Sequence, residues 1–282
     1  MTDIILHHYE TSPYSEKVWL GLGLKGLAWA SVEIPRIMPK PDLTALTGGY
    51  RKTPVLQIGA DIYCDSQLIM RELERRHPTP SFYPAGRGAA DALAWWAEKT
   101  MFSPAAGILF AKKRDALPEG FLEDRAKFSG RNIDPAAMMA AVPHLLDRLR
   151  AHFDWLDQRL ADGRPFLQGS APGLSDLAAY HPVWFLQRNF GSAAEPLDGF
   201  PRLLNWTERV AAIGRVDRNR RPFQTACCNI LHYPRHFEAQ VYVLFTLPRH
   251  SPPASCTAGN TTMHIACVSH LPSCRQKSHE QK

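Results

Sequence analysis

The period of hydrophobic spacing changes once along this chain, and that change limits the folds open to it. Up to about residue 79, short strand-like runs alternate with helical ones; from about residue 84 to about 215 only helical spacing remains. Ile4-Ile5-Leu6-His7-His8-Tyr9 reads as a strand, after which Ser12-Pro13 opens a helix carrying Val18, Leu20, Leu22 and Leu24 as far as Gly26. Trp29-Ala30-Ser31-Val32-Glu33-Ile34 alternates as a second strand closed by Pro35. Val55-Leu56-Gln57-Ile58 and Asp61-Ile62-Tyr63-Cys64 face each other across Gly59-Ala60 as a hairpin. A helix with Leu68, Ile69 and Leu73 on one face comes next, and Pro78-Thr79-Pro80 stops it.

The resulting order, β-α-β then β-β-α, predicts an α/β thioredoxin-like half. The parallel pair needs a crossover helix, the hairpin adds antiparallel strands, and the last helix covers a face of the sheet. Amphipathic stretches at 89–110, 144–160, 174–190 and 201–213 predict an all-α helical-bundle half. The expected division is 1–79 for the first domain, 80–88 for a Pro/Gly-rich linker and 89–215 for the helical domain.

Charge and cysteine locate a third region. Residues 1–215 hold 25 Lys+Arg against 24 Asp+Glu, whereas 216–282 hold 8 against 3, so +5 of the net charge of +6 belongs to the end of the chain. Cys64 stands alone in the first stretch, while Cys227, Cys228, Cys256, Cys267 and Cys274 crowd the second. With no sustained pattern after Val216, residues 216–282 are expected to be disordered or foreign to the fold. The body has no disulfide framework, no secretory leader and no apolar run of ~18 residues, so a cytoplasmic protein without a membrane span is expected.

Three short motifs carry chemistry. Ser12-Pro13-Tyr14-Ser15 sits where the first strand hands over to the first helix. Unpaired amides and partial positive charge at a helix start stabilise a thiolate brought there, and a serine hydroxyl adds a donor. The same serine reads equally as a plain helix cap. Lys52-Thr53-Pro54-Val55 precedes the hairpin, with Pro54 open to a cis bond or to a trans proline at a strand start. Asp65-Ser66 opens the helix after the hairpin, as a ligand-binding pair or as an ordinary cap.

Ser12-Pro13-Tyr14-Ser15 resembles glutaredoxin's Cys-Pro-Tyr-Cys with both sulfurs replaced by oxygen. Taken in order with the other two motifs, the chain resembles serine-type cytosolic glutathione S-transferases, closely over 4–76 and more loosely to about 215. Without a cysteine at position 12 the sulfur must come from bound glutathione. The resemblance implies that Ser12 is the catalytic hydroxyl, with Ser15 as the other candidate thiol partner. It implies a cis Pro54, after which the Val55 backbone pairs with the glutathione cysteinyl amide, and places Lys52 and Thr53 in the same loop. Arg51 or Lys52 would meet the glycyl carboxylate, and Asp65 and Ser66 would hold the γ-glutamyl end. Tyr14, Trp96, Phe102 and Phe110 are candidates for the pocket of the electrophilic co-substrate, beside Trp95 and Met101, although core packing is the common fate of such residues. A homodimer is also implied. Gly173-Leu174-Ser175-Asp176 stands where the family carries a hydroxyl residue and, three later, an aspartate that caps a helix; here glycine replaces the hydroxyl.

Other matches carry no function. Gly21-Leu22-Gly23-Leu24-Lys25-Gly26 ends a helix instead of opening one, so it is no dinucleotide site. Cys227-Cys228 with His232 and His236 lacks zinc spacing, and no metal is expected. No nucleic-acid partner is expected for a body this evenly charged. The function expected is a glutathione transferase acting on a small apolar electrophile; the alternative is a non-catalytic glutathione-binding or protein-interaction module on the same fold.

Overall fold

The computed structural model describes residues 4–130, 133–191 and 195–214, and beyond them the backbone strands 218–220, 240–245, 257–258 and 261–267. The first half is the predicted arrangement. Strand β1 (Ile4–His8) pairs in parallel with β2 (Trp29–Glu33) through the crossover helix α1 (Pro13–Leu24). On its other side β1 pairs antiparallel with β3 (Val55–Ile58), which pairs with β4 (Asp61–Cys64), and α3 (Ser66–Arg76) closes the unit. A short helix not expected from sequence, α2 (Pro41–Thr47), lies between β2 and β3.

Strand β1 is buried along its whole length, which is why it shows no alternation. Its two histidines are tolerated inside because each has a partner: His7 Nε2 lies 3.0 Å from Gln57 Oε1, and His8 Nε2 lies 2.7 Å from Ser31 Oγ. Burial lowers the His7 pKa to about 4, the bond to Gln57 opposing it. On one sheet face Leu6, Leu56 and Tyr63 pack beneath α1 and α3, in a core that continues into the helical half. On the other, Val55, Ile62 and Cys64 pack with Ile34 and Leu43 of α2.

The second half holds α4 (Arg87–Trp96), a π-helical turn at Ala97–Met101, α5 (Phe102–Lys112), α6 (Phe121–Ser129), α7 (Pro135–Arg159), α8 (Leu174–Phe190) and α9 (Pro201–Ala211). Helix α7 begins earlier than its periodicity predicts, at an Asp134 cap that accepts from the Ala136 amide at 3.0 Å. Helix α6 was not expected. Helix α8 is the buried centre, and Asp176 ties it down as expected: its carboxylate accepts from the amides of Gly173 (3.0 Å) and Leu167 (2.8 Å) and from Trp206 Nε1 (2.8 Å). A Cβ on Gly173 would stand 2.7 Å from Phe82 O and 2.8 Å from Pro84 Cδ, which explains the missing hydroxyl residue.

The greater part of 216–282 lies outside the described residues. Where backbone is described, it differs from the patternless segment read from sequence. Strand β5 (Arg218–Arg220) pairs with β2, and β6 (Gln240–Phe245) pairs with β4, followed by β8 (Thr261–Cys267) and β7 (Thr257–Ala258). Both edges of a four-stranded sheet offer unpaired backbone groups, and Val241-Tyr242-Val243-Leu244-Phe245 has the β-branched and aromatic composition that pairs with such an edge. Among the described residues no helix is long and apolar enough to cross a membrane, and no group of three or more His, Cys, Asp or Glu could hold a metal ion.

Candidate functional site

Strand register brings the three motifs together. His7, near the end of β1, is level with Val55 at the start of β3, which is level with Cys64 at the end of β4. The segments after β1, before β3 and after β4 therefore emerge at one end of the sheet, and they are Ser12-Pro13, Thr53-Pro54 and Asp65-Ser66.

Ser12 caps α1 in an extended conformation (φ −81°, ψ 116°) and is 2% exposed. Its Oγ accepts from the Ser15 amide at 3.2 Å, which leaves its own O–H free to donate. The Ser15 hydroxyl is fully enclosed within the first turn and has no hydrogen-bond partner among the described residues. The Thr53-Pro54 bond is cis, in the isomer the resemblance implies. Asp65 caps α3, its Oδ1 accepting from the Gln67 amide at 2.8 Å, with φ at +84°, a sparsely populated conformation for a residue with a side chain. Ser66 is the first residue of α3 and is 6% exposed.

Among the pocket candidates, Tyr14 and Phe102 meet edge to face at 5.0 Å, with His181 4.8 Å from Tyr14 and Phe185 5.8 Å from Phe102. Burial, then the charges of Glu98 and Asp65, push the Tyr14 phenol well above its usual range. Burial lowers His181 to about 3, so it is neutral at physiological pH. Trp96 and Phe110 do not join them. Trp96 stacks on Trp155 of α7 at 5.8 Å, and Phe110 meets Phe121 of α6 at 5.4 Å. Lys52 is exposed, its ammonium 5.7 Å from the Phe128 ring.

Sequence reasoning passed over two groups at this end of the sheet. Lys17 of α1 and Glu98 of the π-helical turn form an ion pair whose side chains are 0% and 5% exposed, and Gln67 of α3 donates to the second Glu98 oxygen at 2.8 Å. Lys40, also buried, points its Nζ at Arg51 O (3.3 Å) and Thr53 Oγ1 (3.4 Å). Burial first, then the charges of Arg125 and Arg51, lower the Lys40 pKa to about 8 against the opposing charge of Asp124. Arg51 itself is engaged by Asp124 of α6 at 2.6 and 2.7 Å. None of these groups carries a local signal, since the partners lie 11 and 13 residues away for Lys40 and 81 and 73 residues away for the two ion pairs.

A thioredoxin-like sheet carrying a serine at the start of α1, a cis-proline loop and an acid-serine pair, followed by a helical bundle, defines a class of glutathione-using proteins. Known proteins agree with that assignment. The family profile for the glutathione S-transferase N-terminal domain matches residues 6–81, and that for the glutathione S-transferase C-terminal domain matches 139–209. This chain belongs to the glutathione S-transferase family. It is similar to a solved GST-like protein from Pseudomonas syringae, with 36% identity and a TM-score of 0.67 over 90% of this chain and 80% of that one. It is 25% identical over 182 residues to glutathione S-transferase theta-1 of Homo sapiens, covering 61% of this chain and 67% of that protein. It is 24% identical over 180 residues to FtsZ-localized protein A of Caulobacter vibrioides (strain NA1000 / CB15N), covering 62% and 73%.

Proposed function

We propose that this chain is a cytoplasmic, homodimeric glutathione transferase that activates the glutathione thiol at Ser12 for attack on a small apolar electrophile. The observation that carries the reading is the convergence of Ser12, Thr53-Pro54 and Asp65-Ser66 at one end of the sheet, with the Ser12 hydroxyl at the start of a 12-residue helix. The γ-glutamyl carboxylate accepts from the Ser66 hydroxyl and the first amides of α3, while Asp65 takes the ammonium. The Val55 backbone pairs with the cysteinyl amide as an added strand would. The thiol, brought to the first turn of α1, loses its proton because the helix start and the Ser12 O–H both favour the thiolate. That thiolate forms a C–S bond with an electrophile held against Tyr14 and Phe102; the electron pair of the bond that breaks leaves with the halide from an aryl halide, or stays on the ring-opened oxygen of an epoxide, which takes a proton from water. Enclosure of the Ser15 hydroxyl favours Ser12 as the donor. Lys52, at the edge of the loop, contributes a cation near the glycyl end.

The test is turnover of an aryl halide and of an epoxide by the full chain with and without Ser12→Ala. Loss of one such donor is expected to slow turnover by about 10²-fold while glutathione still binds. Unchanged turnover would remove Ser12 from the mechanism. A second reading, a glutathione-binding module without turnover, is favoured by the relative named FtsZ-localized protein A, a name that records an association and not a reaction. Glutathione binding with no turnover of either electrophile would select it.

A further inference from the structure

Helix α6 belongs to the helical half by sequence order, yet its polar contacts reach the sheet half. Its Asp124 carboxylate accepts from Arg51 Nη2 at 2.6 and 2.7 Å and from the Met38 amide at 3.1 Å, and Arg125 Nη1 adds a contact at 3.0 Å. Arg125 Nη2 also donates to Arg36 O at 3.2 Å. The Phe128 ring lies 5.1 Å from the Arg51 guanidinium. Asp124 is the one residue that α6 buries, so a carboxylate holds the helix down where an apolar face would be usual. The helix is bounded by Gly120 (φ +72°) and Gly130 (φ +66°), left-handed positions that glycine adopts without strain.

The charges around this contact are unbalanced. Lys40, Arg51 and Arg125 surround Asp124, and Lys40 forms no ion pair with any carboxylate among the described residues. Two of them border the Thr53-Pro54 loop: Lys40 Nζ lies 3.4 Å from Thr53 Oγ1, and Arg51 stands two residues before Thr53. An arginine fork takes a carboxylate in the same way whether it arrives on a side chain or at the end of a peptide.

We propose that Asp124 is a built-in competitor, occupying on Arg51 the place of a ligand carboxylate, so that α6 is a strap which an incoming carboxylate displaces. In identifying that carboxylate as the glycyl end of glutathione, the inference rests on the glutathione-transferase reading. Exchange of one carboxylate for another keeps the cations neutralised throughout. Apparent affinity is then reduced by the fraction of molecules whose strap is latched. Asp124 and the strap would thereby select for ligands that carry this carboxylate.

The experiment titrates three probes into the full chain: glutathione, its glycyl monoethyl ester, and malonate, a small dicarboxylate with no peptide. The chains compared are the natural one, Asp124→Asn, and Asp124→Asn with Lys40→Met. Asparagine keeps an acceptor for the Met38 amide, so docking of the loop survives while the charge is lost. Asp124→Asn is expected to bind glutathione at least ~3-fold tighter, with no gain for the ester. Glutathione should also raise deuterium uptake across 120–130 in the natural chain. Equal or weaker glutathione binding by Asp124→Asn, an equal gain for the ester, or reduced uptake across 120–130 would each overturn the proposal. If glutathione binds none of the chains, the glutathione reading fails and malonate decides the strap by itself. A gain in malonate affinity with Asp124→Asn that is lost on adding Lys40→Met sustains the strap, and no gain sinks it.

Discussion

Two of the ion pairs that join the halves of this protein differ in how far water reaches them. Lys17 and Glu98 are sealed between α1 and the π-helical turn, whereas the side chains of Arg51 and Asp124 are 24% and 8% exposed. A sealed pair must offset the loss of hydration of both ions, so neither can let go without leaving a bare charge. A half-open pair can exchange its partner for water, salt or another carboxylate. The first is a fixed pin between α1 and the π-helical turn; the second, on the strap proposal, is a releasable catch before the cis-proline loop.

The largest test of this contrast is Lys17→Met, which leaves the Glu98 carboxylate with Gln67 as its side-chain hydrogen-bond partner. A loss of about 3–5 kcal/mol is expected in urea unfolding, mostly restored when Glu98→Leu is added. A loss below ~1 kcal/mol would mean that Glu98 finds water or a proton, and the contrast would dissolve. Next in size, Arg51→Met should cost under ~1 kcal/mol, and raising the salt should shrink the difference from the natural chain. The smallest effect concerns acid. Burial pushes the Asp124 carboxyl up, but the Met38 amide, the Arg51 hydrogen bonds and the charges of Arg51 and Arg125 outweigh it and hold the pKa below its ordinary 3.8. The ionised form is therefore favoured by folding, so its contribution is complete above 3.8 and lost as pH falls through the lowered value. An acid-active protease should accordingly begin to cut within 120–130 only below that ordinary value, and the Asp124→Asn chain should show no such pH step.

The three motifs that meet at one end of the sheet were legible in sequence, and the Arg51–Asp124 contact was not. Ser12-Pro13, Thr53-Pro54 and Asp65-Ser66 are local signals, each marking its own turn or helix start, and strand pairing gathers them without further instruction. Lys17 and Glu98 are 81 residues apart and Arg51 and Asp124 are 73, so nothing in either neighbourhood announces the partner. Helix α2 is seven residues long and has Pro41 in its first turn but no side-chain cap, and α6 begins at Gly120, also without a side-chain cap, so the start signals of both are incomplete. Trp96 and Phe102 fall in one sequence stretch, but they are six residues apart, a spacing that sets side chains about 120° apart around a regular helix, and a π-helical turn lies between them. Trp96 therefore faces α7 while Phe102 faces Tyr14.

At residue 173 the close packing of the α8 start against Phe82 and Pro84, with the Leu174 amide donating to Phe82 O at 2.8 Å, makes the linker and the helical half a matched pair. Recombining this sheet half with another relative's bundle is consequently constrained at the seam between Gly173 and the Phe82–Pro84 segment. An incoming bundle whose α8 begins with a hydroxyl residue would need a linker that stands further back. Inheritance of the two halves is in that sense coupled through one missing methyl group.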